Sequence, residues 1–335
     1  MIMKDERTIV FLMDSYKTLN LQTDTSLLLM EVLIERGHRV LWLEPAQLTL
    51  QHDSVMGEVR AVRSVAPFEL APMFALALDQ CDGLLVRIDP PVDSYYFHIT
   101  YILDYLCSSV VQFNDTAALR NFNEKVLPLR WPELAPPSLV TSDSAKLLSF
   151  REKHQDIVVK PLDDCSGRGV TRYQQVDDLA LDNLTAEVLD THQKPRFVMA
   201  QRFLPAVSQG DKRVFLLRGE VIGYVNRVPR QGQFLANIHQ GALCEATELS
   251  EKEVAAIDKI VPFLRENGLF FVGVDFIGGF LTEVNLTSPS AIRQINQVMG
   301  EDVHLYMVDR ILSEIAEQNA GPSMPLWTCC VKSVA

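Results

Sequence analysis

The chain has 335 residues, of which 47% are hydrophobic and 22% are charged, and its formal net charge is −12. This length and composition are typical of two or three packed globular units, and they exclude a largely disordered protein. The acidic balance also argues against a nucleic-acid partner, because nucleic-acid binding requires a basic surface.

Hydropathy and cysteine spacing limit the cellular setting. No apolar run approaches the roughly 18 residues needed to span a bilayer. The start of the chain, MIMKDERTIVFLMD, carries charges where a signal peptide has its apolar core. The six cysteines form no CxxC pair, so we expect reduced thiols rather than disulfides or a zinc site. We therefore predict a cytoplasmic protein with no membrane partner.

The N-terminal region begins with a β-α-β pattern. Apolar residues predict a buried strand over Thr8–Met13, and Asp24 or Thr25 can cap a helix over 26–36. A second strand is expected over Arg39–Leu43. The turn after the first strand contains no glycine, so the GxGxxG dinucleotide-binding fingerprint is absent.

Further elements complete an open α/β domain. The pattern predicts an irregular or hairpin-like segment at 51–63, helical spacing at 74–78, a strand at 83–88, a helix at 95–106 and a strand at 110–113. Four prolines in residues 127–137 then favour an extended linker, and a domain boundary is expected just before it.

The second half of the chain is richer in strands. A helix over Ser144–His154 precedes a strand at 156–159, which delivers Lys160 to a turn containing Gly167 and Gly169. Strands are predicted over 197–203, 211–218 and 221–228, and a helix over 251–267. Between them, the polar loop 229–243 lacks periodicity, which is typical of lids and binding loops.

A metal-binding hairpin is predicted near the C-terminal end. Phe271–Ile277 reads as a strand, Gly278 and Gly279 as a turn, and 280–286 as the returning strand. Glu283 and Asn285 lie two residues apart and so face one side, where a close turn can bring Asp275 beside them. Three hard oxygen ligands suit Mg²⁺; the alternative is a hairpin whose polar face is merely solvated.

Cationic residues elsewhere suggest an anionic ligand. Lys125 and Lys160 are candidates for nucleotide phosphates, although the Walker A pattern GxxxxGK[ST] is missing. Arginines able to hold carboxylates or phosphates in two-point fashion are Arg213, Arg227, Arg230 and Arg293. Neither a GxSxG nor an HExxH motif is present, so the sequence gives little support to hydrolase or zinc-peptidase chemistry.

Several motifs occur together in a fixed order. They are Arg87–Pro91 (RIDPP), Asn123–Lys125 (NEK), Lys160–Asp163 (KPLD), Gln201–Pro205 (QRFLP), Gly210–Arg213 (GDKR) and Thr282–Pro289 (TEVNLTSP). In this order the chain resembles the bacterial glutathione synthetases of the ATP-grasp superfamily, from about residue 9 to residue 312.

The resemblance implies an α/β architecture of three parts and a tail. An N-terminal open α/β (pre-ATP-grasp) domain would cover 1–123, an ATP-grasp lid 124–200, a C-terminal ATP-grasp subdomain with the metal hairpin 201–316, and the tail 317–335. It also implies a homo-oligomer, a tetramer or dimer. The implied activity is ATP-dependent carbon–nitrogen ligation that joins γ-glutamylcysteine to glycine through an acyl phosphate.

Site roles follow from the resemblance, residue by residue. Asp275, Glu283 and Asn285 would bind two Mg²⁺ ions, or Mn²⁺, and Arg213 and Arg227 would be the catalytic residues. Residues implied in ATP binding are Lys125, Lys160, Gly167, Gly169, Gln201, Arg202, Phe203, Leu204 and Asp211. Residues implied in substrate binding are Arg213, Arg227, Arg230, Asn237, Ser288 and Arg293.

Two loops depart from the family pattern. Asp164 and Ser166 replace two glycines that the family usually has in its phosphate loop. In the lid loop, Leu235 stands where a second arginine is usual, and Ala242 replaces a glycine. Either Arg230 takes over the role of the missing arginine, or the donor or acceptor differs from the usual pair. A nucleotide-binding protein without catalytic activity is the remaining alternative, and the complete set of ATP and metal residues argues against it.

Overall fold

The computed structural model describes residues 6–19, 24–174 and 178–320. The strands are β1 (Thr8–Met13), β2 (Arg39–Leu43), β3 (Leu48–Gln51), β4 (Ser54–Val65), β5 (Phe68–Leu70), β6 (Phe74–Ala77), β7 (Gly83–Arg87), β8 (Val111–Phe113), β9 (Ser138–Thr141), β10 (Ile157–Pro161), β11 (Thr171–Tyr173), β12 (Val198–Arg202), β13 (Asp211–Leu217), β14 (Glu220–Val228), β15 (Leu243–Glu245), β16 (Phe271–Ile277) and β17 (Phe280–Asn285). The helices are α1 (Thr25–Glu35), α2 (Ser94–Leu103), α3 (Thr116–Asn121), α4 (Ser144–His154), α5 (Asp178–Ala186), α6 (Glu251–Glu266), α7 (Ile292–Met299) and α8 (Val303–Ala320).

The chain divides into two compact units. Among the described residues, the first contains those of 6–89, 94–118 and 290–320, and the second contains those of 90–93 and 119–289. The first unit is built on a sheet of order β3-β4-β2-β1-β7-β8, with β5 and β6 also paired to β4. Strands β1, β2, β7 and β8 are parallel, and their apolar side chains form a buried core. This arrangement confirms the predicted open α/β class.

The start and end of α1 follow the capping signals in the sequence. The carboxylate of Asp24 accepts a hydrogen bond from the backbone N–H of Leu27 at 3.0 Å, which satisfies a donor that the helix itself leaves unpaired. Gly37 follows the helix with φ of +82°, a conformation that glycine adopts without steric cost. The predicted helix is therefore confirmed, with Asp24 rather than Thr25 as its cap.

One prediction in this unit is wrong. Residues 74–78 were expected to be helical, but Phe74–Ala77 form strand β6, which pairs antiparallel with β4. Five residues with apolar side chains fit either period, and pairing with the long strand β4 decides the outcome. The segment 51–63, expected to be irregular or hairpin-like, is mostly one strand. Residues 54–63 belong to β4, and only the start of the segment forms the turn that pairs β4 with β3.

The second unit contains two antiparallel sheets. The smaller sheet has the order β11-β10-β12-β9. One of its faces packs on α4 and α5 through a buried cluster that includes Leu147, Leu184 and Val188. The larger sheet has the order β15-β14-β13-β16-β17, and the amphipathic helix α6 buries Ala256, Ile257, Ile260 and Leu264. The hairpin predicted around Gly278 and Gly279 is confirmed as β16 and β17.

The proline-rich segment 127–137 was predicted to be an extended linker, and the structure shows that this prediction is wrong. Leu127–Arg130 form a short 3-10 helix whose Leu127 and Pro128 are buried. The carbonyl of Leu134 accepts a hydrogen bond from the N–H of Leu281 on β17 at 2.9 Å. Because β17 is an edge strand with unpaired backbone groups, the segment packs along that edge and satisfies one of them.

None of the helices in residues 6–19, 24–174 and 178–320 is both long enough and apolar enough to cross a bilayer.

Candidate active site

Strand register brings six of the predicted site residues to one face of the larger sheet. Arg213 on β13 lies opposite Asp275 on β16, and Asp275 lies opposite Glu283 on β17. Directly opposite residues of antiparallel strands project on the same face, as do residues two apart on one strand. The same face therefore also carries Asp211, Arg227 and Asn285.

Asp275 is the centre of a buried charge network. Arg213 donates from Nε to Oδ1 at 2.5 Å and from Nη2 to Oδ2 at 2.9 Å. Nη2 of Arg227 lies 3.1 Å from Oδ1, and Nδ2 of Asn285 donates to Oδ2 at 3.0 Å. Burial by itself would raise the pKa of Asp275, but the guanidinium groups of Arg213 and then Arg227 outweigh it and lower the pKa to about 2. Asp275 is thus an ionised carboxylate held by two cations.

Asp211 shares Arg227 with Asp275. Nη2 of Arg227 lies 2.7 Å from Oδ2 of Asp211. Burial raises the pKa of Asp211 to about 7, against the opposing charge of Arg227. Within the part of the chain that the structure describes, Oδ1 of Asp211 is buried and has no hydrogen-bond partner. Such an acceptor is suited to a ligand hydroxyl group.

Glu283 joins this face to the smaller sheet. Its side chain is 25% exposed, and Oε1 lies 3.6 Å from Nζ of Lys160, which stands on β10. Lys160 also donates to Oε1 of Gln201 at 3.2 Å, and Nε2 of Gln201 donates to Oγ of Ser138 at 3.1 Å. A cation and a partly exposed carboxylate are therefore neighbours where the two sheets of this unit meet.

The glycine-containing turn after β10 is held by two basic residues. The ammonium group of Lys125, which is buried, donates to the backbone carbonyl of Asp164. Arg168 donates from Nε to Oδ1 of Asp164 at 2.6 Å and from Nη2 to the carbonyl of Pro90 at 3.0 Å. Gly167 and Gly169 have φ values of +77° and +65°, which favour glycine. The turn is therefore pre-formed.

Residues 201–204, predicted to hold adenine, end β12 and continue beyond it. Gln201 is buried, and the guanidinium of Arg202 lies 5.8 Å from the ring centre of Phe280. The ring of Phe203 is covered by the guanidinium of Arg172 at 3.4 Å. Leu204 is buried beside it. Gln201 and Leu204 are buried and the ring of Phe203 is covered, so the adenine-binding role of this segment stays a prediction.

The long loop 229–242 lies against the glycine turn. A Cβ placed on Gly167 would lie 2.6 Å from Oδ1 of Asn237 and 3.4 Å from Cδ2 of Leu235. Arg230 instead donates from Nε to the carbonyl of Gly241 at 3.0 Å, at the base of the same loop. Leu235 and Asn237 thus reach the turn, whereas Arg230 is held within its own loop.

The last two predicted substrate residues are separated by the division into units. Ser288 is half-buried three residues after β17, in the second unit. Arg293 belongs to the first unit, where it is the second residue of α7 and donates to the carbonyl of Asp24 at 3.2 Å. Both assignments stay predictions.

Sequence reasoning missed Glu124, which was noted in a motif but given no role. Its Oε1 accepts hydrogen bonds from the backbone N–H groups of Leu286 and Thr287 at 2.6 and 2.9 Å, and from Oγ1 of Thr287 at 2.9 Å. The available signal was its place beside Lys125, but its partners lie more than 160 residues away in the chain.

The donor set is compatible with a divalent metal ion. Glu283 offers a partly exposed carboxylate. Nδ2 of Asn285 donates to Oδ2 of Asp275 and to the carbonyl of Gly273 at 3.2 Å, so Oδ1 is its remaining polar atom. Hard carboxylate and amide oxygens are what Mg²⁺ prefers. Among the described residues no group of three or more His, Cys, Asp and Glu side chains is arranged for a metal, so Glu283 and Asn285 are the donors that fit best.

Solved structures with the same fold define the class. A D-cycloserine synthetase, DcsG, superposes with a TM-score of 0.65 at 14% identity, covering 92% of this chain and 99% of that one. A RimK domain protein ATP-grasp from Sphaerobacter thermophilus gives a TM-score of 0.59 at 17% identity, with 90% and 98% coverage. These likenesses show the ATP-grasp fold.

Sequence comparison then gives the family. The model of the prokaryotic glutathione synthetase N-terminal domain matches residues 8–120, and that of the ATP-grasp domain of the same family matches 124–300. The chain therefore belongs to the prokaryotic glutathione synthetase family and is an ATP-dependent carbon–nitrogen ligase that uses a divalent metal.

Curated glutathione synthetases from several bacteria are similar to this chain along nearly their whole length. The glutathione synthetase of Parasynechococcus marenigrum is 35% identical over 305 residues, which cover 91% of this chain and 98% of the relative. Those of Coxiella burnetii and Photorhabdus laumondii are 34% and 37% identical, covering 87% and 84% of this chain and 92% and 90% of the relatives.

Proposed function

We propose that the protein joins γ-glutamylcysteine to glycine, with ATP as the energy source and two Mg²⁺ ions, replaceable by Mn²⁺, at Glu283, Asn285 and Asp275. The observation that carries this proposal is the polar face of the larger sheet. There the cationic pair Arg213 and Arg227 lies beside partly exposed oxygen donors and next to Lys160. The cytoplasmic location and the homo-oligomeric state, a tetramer or dimer, belong to the same proposal.

Residues of the second unit have distinct roles in this scheme. Lys125, Lys160, Gly167 and Gly169 hold ATP phosphates, residues 201–204 hold adenine, and Asp211 lies near the ribose. The unpartnered Oδ1 of Asp211 supports the last role, since it can accept a hydrogen bond from a ribose hydroxyl. Bound Mg²⁺ would neutralise phosphate charge during transfer.

The chemistry requires anion binding and exclusion of water rather than a protein nucleophile. Arg213 and Arg227 orient the carboxylates of the donor, whose C-terminal carboxylate oxygen attacks the γ-phosphorus of ATP and displaces ADP. The amine of glycine then attacks the acyl phosphate and releases phosphate. Loop 229–242, which lies on the glycine turn through Leu235 and Asn237, shields this intermediate from water. Ser288, Arg230 and Arg293 are the further substrate contacts of the proposal.

A second candidate is an ATP-grasp ligase that acts on a different γ-glutamyl or peptide donor, or on another amine. Leu235 favours it, because this apolar side chain reaches the glycine turn where the family pattern has an arginine. An apolar residue there removes one two-point carboxylate contact.

A donor and acceptor panel tests the proposal. Purified protein is incubated with ATP, Mg²⁺, γ-glutamylcysteine and glycine, and ADP and product mass are measured. We expect one ADP per tripeptide, with both depending on glycine. ADP release no higher than without glycine would rule out this pair. Turnover with another γ-glutamyl donor or amine in the same panel would then support the second candidate.

A further inference from the structure

Glu124 anchors the end of the strand that carries the proposed metal donors. One of its carboxylate oxygens, Oε1, accepts three hydrogen bonds, from the N–H groups of Leu286 and Thr287 and from the hydroxyl of Thr287, at 2.6 to 2.9 Å. Bonds to a charged acceptor are shorter and stronger than neutral ones. The two residues after Asn285 are therefore held by a single side chain.

The backbone of Glu124 also holds the strand, at the residue directly after Glu283. Its carbonyl accepts a hydrogen bond from the N–H of Val284 at 3.0 Å. Val284 lies between Glu283 and Asn285. Glu124 therefore contacts the residue between the two proposed metal donors, and also Leu286 and Thr287, which follow Asn285. Because β17 is an edge strand, nothing in the sheet pairs with this edge, and Glu124 takes the place of a neighbouring strand.

The residues on either side of Glu124 contact the glycine turn. Nδ2 of Asn123 donates to the carbonyl of Leu162 at 2.8 Å, and the ammonium of Lys125 donates to the carbonyl of Asp164. Three consecutive residues thus connect the proposed phosphate-binding turn to the proposed metal-binding strand.

We propose that Glu124 is a positioning residue that holds the carboxylate of Glu283 and the amide oxygen of Asn285 where a metal–nucleotide complex binds. The inference rests on the proposed function, because it assigns Glu283 and Asn285 to the metal. Glu124 acts through the backbone of β17. Positions that orient ligands from outside the coordination sphere typically change metal affinity by about 10- to 100-fold when they are removed.

The experiment measures binding of Mn²⁺ in the presence of ADP by electron paramagnetic resonance of free Mn²⁺, on the full chain. Glu124→Ala is expected to weaken Mn²⁺ binding by about tenfold. Glu124→Gln keeps an acceptor oxygen at the same reach and is expected to stay within about threefold of wild type. Glu124→Asp keeps the charge but falls short by one methylene group, so it should resemble Glu124→Ala.

The order of the variants separates positioning from charge. If the negative charge of Glu124 acted on the metal directly, Glu124→Asp would bind Mn²⁺ better than Glu124→Gln, and that order would overturn the proposal. Equal affinity of all three variants and wild type would overturn it too. If Glu124→Ala fails to fold, the Mn²⁺ affinities of Glu124→Asp and Glu124→Gln still distinguish positioning from a direct effect of charge.

Two controls tie the result to this site. Glu133→Ala removes a carboxylate of the same unit that pairs with Lys259 at the surface, and it should leave Mn²⁺ affinity unchanged. Wild-type protein must bind Mn²⁺ with ADP. Absence of that binding contradicts the metal role in the proposed function itself, whereas normal wild-type binding with an unaffected Glu124→Ala contradicts only the role of Glu124.

Discussion

The hairpin β16–β17 and the loop 229–242 lie in the same unit, but they are held in different ways. In the hairpin, strand register places Asp275 opposite Glu283 and Arg213, and the network around Asp275 is buried. In the loop, the side chains of Asn237 and Leu235 lie against the backbone of Gly167. The hairpin keeps the family's residues, whereas the loop departs from them at Leu235. We propose that use of ATP and metal depends on the hairpin and that the choice of donor depends on the loop.

The largest expected effect comes from the hairpin. Glu283→Ala removes a carboxylate that fits the metal, and should lower the rate of ADP formation by about 10²–10³-fold because charge on the transferring phosphoryl group loses stabilisation. Steady-state ADP release measures it. Glu266→Ala, an exposed carboxylate at the end of α6, is the matched control and should retain activity. Undiminished turnover in Glu283→Ala would contradict the metal assignment.

The second prediction concerns the stability of the same region. Arg213→Ala leaves the buried Asp275 without its two-point partner and should lower the free energy of unfolding by about 3–5 kcal/mol. Urea unfolding followed by circular dichroism measures it. Lys259→Ala breaks an exposed pair with Glu133 and should leave the free energy of unfolding nearly unchanged.

A double variant checks the cause of that loss. Arg213→Ala combined with Asp275→Asn removes the uncompensated charge and should recover part of the stability. If the double variant is as unstable as the sum of both single variants, charge is not the reason.

The third prediction tests the contact between the two regions. Gly167→Ala places a Cβ 2.6 Å from Oδ1 of Asn237. It should raise the KM for ATP by about tenfold because this clash, added to the strain of a left-handed conformation, displaces the turn. Gly232→Ala has a similar φ of +81° but no atom within 4 Å, so its KM for ATP should stay within about twofold of wild type. Equal effects of the two variants would show that the contact with Asn237 is immaterial.

The smallest effect is expected within the loop itself. Leu235→Arg adds a cation near the turn and should lower the KM for γ-glutamylcysteine by about threefold, since an exposed ion pair contributes about 1 kcal/mol or less. Leu243→Arg makes the same change at an exposed position on β15 and serves as the control. A KM that rises in Leu235→Arg alone would indicate that Leu235 packs against the donor.

The sequence predicted those parts of the molecule that depend on local pattern. The alternation around Gly278 and Gly279 gave the hairpin, and Asp24 gave the start of α1, since both signals lie within a few residues of what they determine. Segment 74–78 was mistaken for a helix because pairing with β4 is not visible in five residues.

Contacts across long separations were beyond the sequence. It named Arg213, Arg227 and Asp275 as site residues, but not that the two arginines hold the aspartate, because that depends on the register between β13 and β16. The partners of Glu124 are also distant in the chain, so the sequence assigned it no role. Residues 127–137 were predicted to be a linker because their packing along the edge of β17 is not visible in the sequence.

Transfer of labelled oxygen tests the central claim most directly. γ-Glutamylcysteine carrying ¹⁸O in its C-terminal carboxylate is incubated with the enzyme, ATP, Mg²⁺ and glycine, and the inorganic phosphate is analysed by mass spectrometry. An acyl phosphate predicts that one ¹⁸O atom moves into phosphate for each tripeptide formed. Tripeptide formation with unlabelled phosphate would contradict the account.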